Sequence, residues 1–81
     1  MNVQEAADSC RTRIIRSGAY DWEANGVYAA SIGHIFEMLD KIVSGEIEGE
    51  KAHRWLGWIQ ALMCVNRIAD LKELKEINHN A

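Results

Sequence analysis

Apolar residues recur along this chain at intervals of three and four, the spacing of helices, and nowhere alternate as a strand would. Val3, Ala7, Cys10 and Ile14 form one narrow stripe, which predicts a helix over residues 2–17. Gly18 stands where a left-handed residue would close it. From Trp22 to Val43 the spacing predicts a second helix with Asp21 as its N-cap. At ~100° per residue, Tyr28, Ala29, Ile32, Ile35, Phe36, Leu39, Ile42 and Val43 fall within an arc of about 140°. His34, Glu37, Asp40 and Lys41 fall opposite. A third helix is expected over 47–65 with Asn66 as C-terminal cap, and a fourth over 71–78. Asp70 followed by Glu73 resembles a capping box, and Leu71, Leu74 and Ile77 give the last helix a single apolar edge. A helix that short holds only if docked on the body. The fold class is therefore all-α: one domain, residues 1–81, built as a small bundle of three main helices plus a short C-terminal helix.

The third helix raises the functional question, because the stretch KAHRWLGWIQALM places Trp55 and Trp58 three positions apart around Gly57. With Trp55 at 0° on a helical wheel, Ala52, Leu56, Ile59, Leu62 and Met63 lie between about 340° and 100°, with Trp58 and Val65 near 300° and 280°. Gly57, Ala61 and Cys64 sit together near 180–240°, at the i, i+4, i+7 spacing that lets another backbone approach closely. Apolar or small residues thus occupy both sides, and only His53, Arg54 and Gln60 call for water or polar partners. Such a helix belongs at the centre of an assembly. Trp55 is expected to anchor the core. Trp58, turned 60° toward Arg54, is the candidate for a partner surface that includes Arg54, Gly57 and Ala61.

Length sharpens this. A chain of 81 residues buries only about 60–65% of its unfolded surface and gains stability from disulfides, metals or association. There are two cysteines, Cys10 and Cys64, and the opening MNVQEAADSC has no basic region followed by an apolar run. This leads to the expectation of a cytoplasmic chain with reduced thiols. No apolar run approaches the roughly 20 residues of a transmembrane helix, so no membrane partner is expected. Self-association into a homodimer or larger oligomer is the remaining source of burial. The alternative is that the N-terminal helix covers the small-residue stripe within one chain.

Charge argues against wrapping nucleic acid. The net charge of −3 is uneven: residues 1–20 carry three arginines against two acids, residues 21–50 seven acids against one lysine, and residues 51–81 five bases against three acids. Phosphate binders usually carry a basic surplus on one face. Glu46, Glu48 and Glu50 crowd the start of the third helix, where negative charge meets the positive end of the helix dipole. Mimicry of nucleic-acid phosphates is the rival account of that cluster.

The same stretch, followed by a short loop and DLKELKEINHN, resembles the C-terminal half of small uncharacterised accessory proteins of tailed phages and prophages. They share an Arg-Trp-Leu-Gly helix and an acid-capped short helix ending in Asn. The resemblance covers about the last thirty residues and departs at Asn66, where such proteins often have Gly. It implies a setting, an accessory role in the cytoplasm of a bacterial host cell, and brings no catalytic or ligand residues with it.

Candidate chemistry adds little. His34, His53, His79, Cys10 and Cys64 are scattered without CxxC or HxxxH spacing, so no metal is expected. His34 and Glu37 share the polar flank of the second helix rather than a core. Cys64, set among apolar residues, is expected to behave as a small hydrophobe. SGEIEGEK lacks the pattern of a phosphate-binding loop. No catalytic residue and no cofactor is expected. A DNA-binding regulator would rest on Arg11, Arg13 and Arg16, helped by Lys51, Arg54 and Arg67, with the second and third helices joined as a helix-turn-helix; the third helix, however, offers few groups that read base edges. A ligand-sequestering oligomer, with arginine and aromatic residues at a subunit junction, is a further alternative. The leading expectation is a non-catalytic phage or prophage accessory protein that works by protein–protein interaction with itself and with a host or phage protein.

Overall fold

The computed structural model describes all 81 residues as four α-helices and one 3₁₀ turn, with no strand. The helices are α1 (Val3–Ser17), α2 (Ile32–Val43), α3 (Gly49–Val65) and α4 (Leu71–Asn80), and the 3₁₀ turn is Tyr28–Ala30. The all-α bundle expected from the periodicity is the fold observed. α1 is the hub, packing against α2, α3 and α4. Its inner stripe of Ala6, Ala7, Cys10 and Ile14 is fully buried, and the two alanines let the other helices come close. Ile35, Met38, Leu39 and Ile42 of α2, Ala52, Leu56, Ile59 and Met63 of α3, and Leu74 of α4 complete one core with Ile68 and Ala69.

Local chemistry sets most helix ends where the sequence places them. The Asn2 side chain accepts from the Glu5 N–H at 3.0 Å, and Asp70 accepts from the Glu73 N–H at 2.8 Å. Gly18 takes the left-handed conformation, φ 80°, after α1. At the end of α3, Asn66 is the capping residue, but the left-handed position falls to Arg67, φ 60°. The Ile68 N–H donates to the Met63 carbonyl at 2.9 Å and the Arg67 N–H to the Cys64 carbonyl at 3.1 Å. That pair of bonds is a Schellman closure, with Ile68 and Met63 supplying the apolar contact that accompanies it.

The second helix differs from the expectation. It starts at Ile32, with Ser31 rather than Asp21 as N-cap, the Ser31 Oγ accepting from the His34 N–H at 3.3 Å. Residues 18–31 form a loop, and Tyr28 and Ala29, expected on the buried face, are exposed. Asn25 and Gly26 both have positive φ, 51° and 75°, and this Asn-Gly turn breaks any helix from Trp22. Tertiary bonds then hold the loop. The Trp22 indole N–H donates to the Ala30 carbonyl at 2.7 Å, and the Trp58 indole N–H to the Ala29 carbonyl at 2.9 Å. In a continuous helix both carbonyls would be spent within the ladder; here two tryptophans from either side clamp the 3₁₀ turn.

Candidate interaction surface on the third helix

α3 is packed on one side only. Ala52, Leu56, Ile59 and Met63 face the core, each 2% exposed or less, while Trp55 and Leu62 are partly buried along its flank. Trp55 therefore borders the core rather than filling it, with the Lys51 ammonium 5.4 Å from its ring centroid. The wide apolar arc expected from the wheel narrows accordingly: Val65 is 73% exposed and Trp58 42% exposed. The expectation that α3 is covered on both sides does not hold within the chain.

The outward side gathers all four residues expected to meet a partner. Arg54, Gly57, Trp58 and Ala61 are exposed, together with His53, Cys64 and Val65. A Cβ built on Gly57 would have nothing within 4 Å. α1 therefore does not close over the small-residue stripe, as the single-chain alternative required. Arg54 makes no ion pair and no side-chain hydrogen bond within the chain. Trp58 has two roles, for its N–H is committed to the Ala29 carbonyl while much of its ring stays open to solvent. That tertiary bond could not be read from residue spacing, since its acceptor lies 29 residues away on a backbone carbonyl.

Polar residues elsewhere are mostly spoken for. Gln60, expected to seek water, is part-buried and pairs reciprocally with Asn78 of α4, at 2.7 and 3.1 Å, and its Nε2 also donates to Cys10 Sγ at 3.5 Å. This amide pair latches α4 onto α3. Arg11 and Arg13 pair with Asp40 at 2.9 Å and Glu73 at 3.0 Å, so two of the three arginines of α1 are matched by acids of α2 and α4. The Arg11 guanidinium also lies 5.9 Å from the Phe36 ring centroid.

Of the two thiols, only Cys64 departs from expectation. Cys64 is exposed, on the rim of an open groove that it shares with Arg13, Asp70 and Glu73. Cys10 is buried, and burial pushes its thiol up from the ordinary value of 9.0, against a smaller opposing effect of the Gln60 hydrogen bond. No three His, Cys, Asp or Glu side chains converge as metal ligands would. His34 Nδ1 lies 3.8 Å from Glu37 Oε2, and its ring stacks tilted on Tyr28 with centroids 5.1 Å apart. Open grooves lie between α1 and α4, where the lining is mostly polar, and between residues 17–25 and the end of α3, where it is mixed. No helix is long and apolar enough to cross a membrane.

The distinctive chemistry of this molecule is therefore a bare helix face: a tryptophan ring, an unpaired arginine and a row of small residues, carried on a helix whose other side is the core. No family model matches the sequence, and no curated protein or solved structure matches it either.

Proposed function

We propose that this protein is a non-catalytic interaction module that works through the outward side of α3 by contact with another protein. The observation that carries the reading is the meeting of Arg54, Gly57, Trp58 and Ala61 on one uncovered face. Tryptophan and arginine are the residue types that dominate binding energy at protein interfaces, and small residues beside them admit a partner's backbone. Protein is favoured over nucleic acid as the partner because Arg11 and Arg13 are paired with acids, leaving no continuous basic stripe. The resemblance of the C-terminal stretch to phage and prophage accessory proteins suggests the setting, a bacterial cell whose machinery or defence such a contact would modulate.

Capture from bacterial lysate tests this, using a tagged chain co-expressed with an untagged copy of itself. Ala61→Glu is the comparison, since Ala61 is exposed and a carboxylate there leaves the fold intact, as checked by helical circular dichroism. The expected result is protein retained by the wild type and lost from Ala61→Glu. An identical bound set for both chains, or a bound set emptied by nuclease, overturns the reading.

A further inference from the structure

We infer that the groove between residues 17–25 and the end of α3 binds a free α-amino acid with a large apolar side chain, held as a zwitterion. This surface is separate from the outward face of α3, and the inference does not depend on the reading of that face.

The groove has a volume of about 520 Å³, with Tyr20, Asp21, Trp22 and Glu23 on one wall and Val65, Arg67 and Ile68 on the other. That is the size of a small-molecule site. It carries charge of both signs, and none of it is spent. Arg67 makes no ion pair and no side-chain hydrogen bond, and neither do the carboxylates of Asp21 and Glu23, although all three border the same space. Arg11 and Arg13, by contrast, reach acids at 2.9 and 3.0 Å. A ligand carboxylate on Arg67 and a ligand ammonium on Asp21 and Glu23 satisfy both signs together. A simple anion would meet two acids, and a simple cation would meet the guanidinium. Tyr20, Trp22, Val65 and Ile68 supply the apolar surface for a side chain.

The walls are built before any ligand arrives. The Glu23 N–H donates to Asn66 Oδ1 at 2.7 Å while Asn66 Nδ2 donates to the Leu62 carbonyl at 2.9 Å, so one side chain ties the loop to α3. The Trp22 indole is fixed by its bond to the Ala30 carbonyl. Tyr20 stands against Gly18, where a Cβ would come within 2.6 Å of its ring, and is still 95% exposed. Strain gathers at the same place. The three non-glycine residues with positive φ, Ala19 at 49°, Asn25 at 51° and Arg67 at 60°, all line this groove. Asparagine tolerates that region, but alanine and arginine gain nothing from it. Strained backbone of this kind clusters where ligands are clamped. Glycine at position 67 would relieve the strain and lose the guanidinium.

Proton–nitrogen NMR titration of the whole chain with L-phenylalanine and L-leucine tests the site. Shifts confined to residues 17–25 and 65–68 are expected. A dissociation constant on the order of 1 mM suits about a dozen non-hydrogen atoms in an open groove. Hydrocinnamate lacks the ammonium and phenethylamine the carboxylate; each should bind about tenfold more weakly than L-phenylalanine. Arg67→Gln should weaken L-phenylalanine about tenfold and Tyr20→Ala about threefold, with the other amides unmoved. Arg67→Gly separates binding from folding. Its melting temperature should rise, because glycine adopts φ 60° freely, while its binding falls as in Arg67→Gln. Ala61→Glu should bind as the wild type does. The inference is overturned if neither amino acid moves these amides up to roughly 20 mM. Binding indifferent to both Arg67 substitutions overturns it too, as does hydrocinnamate or phenethylamine matching L-phenylalanine. Binding lost in Ala61→Glu would put the ligand on the α3 face and remove it from this groove.

Discussion

The two sides of α3 are built from similar residue types and end in opposite environments. On the inner side Ala52, Leu56, Ile59 and Met63 are closed off by α1 and α2; on the outer side Gly57, Trp58, Ala61 and Val65 face solvent. Hydropathy separates them only in part, because both sides offer alanine and at least one large apolar group while the outer side adds His53 and Arg54. What separates them is the number of helices available. α1 fills one side and is then engaged with α2 and α4, so no element remains for the other. A small bundle that has used all its helices and still shows an apolar stripe has a surface available for contact.

Substitution should expose this contrast most strongly at Ile59. Ile59 is fully buried, and Ile59→Ala is expected to cost about 3–4 kcal/mol, a large part of the stability of a domain this size. Urea unfolding monitored by circular dichroism measures it. The same change in free energy from Ala61→Glu would abolish the distinction between the two sides; less than about 0.5 kcal/mol is expected there, as for exposed sites generally.

Trp58 tests whether the outer side is purely a contact surface. Because its indole N–H holds the Ala29 carbonyl, Trp58→Ala should destabilise by about 1–2 kcal/mol despite the residue's exposure. Trp58→Phe keeps most of the ring and loses the donor, and should cost about 1 kcal/mol. Amide hydrogen exchange should quicken in residues 28–31 in both variants while the core of α1 is unchanged. If exchange there does not move, the clamp on the 3₁₀ turn is not formed in solution.

These residues also show how far sequence reasoning reaches. The Val3–Ile14 stripe, Asp70 with Glu73, and Gly18 were legible because each rests on local rules of spacing and capping. The segment 22–31 was not, since Tyr28, Ala29 and Ile32 keep helical spacing by coincidence. The opposing signal, Asn25-Gly26 followed by Ser31, was present and outweighed by that periodicity. Once the turn forms, its carbonyls are satisfied by Trp22 and Trp58, bonds between distant parts of the chain that no local pattern encodes. The four residues of the candidate surface were legible as a group because they share one helix. That Trp58 also fastens a loop was not.

Gly57 gives a smaller effect of opposite sign. With open space around it, Gly57→Ala should stabilise the isolated chain by about 0.5–1 kcal/mol through helix propensity alone. Thermal melts at low concentration, where association is absent, should therefore shift upward. A destabilised variant would mean that the backbone at Gly57 is more crowded than the bare face of α3 allows.

The thiols give the smallest effect, absent at neutral pH, and divide the molecule along the same line. Cys10 is buried beside Gln60 and Cys64 is on the open side of α3. Because burial raises the Cys10 thiol above 9.0, the folded chain keeps a proton that the unfolded chain gives up. Its contribution is complete below the unfolded value and is lost as pH rises through the higher folded one, so stability should be flat with respect to this group near neutrality and decline in alkaline solution. Cys10→Ala should remove that part of the decline, read as the difference between the two alkaline denaturation curves. In the native state at neutral pH a disulfide reagent should modify one thiol promptly, Cys64, and reach Cys10 only through opening of the core. Mild denaturant should then speed the slow thiol and leave the fast one nearly unchanged. Equal rates for both would mean that α1 is not seated against α3 as the contact of Gln60 with Cys10 places it, and the contrast between a filled and an open side of α3 would no longer stand.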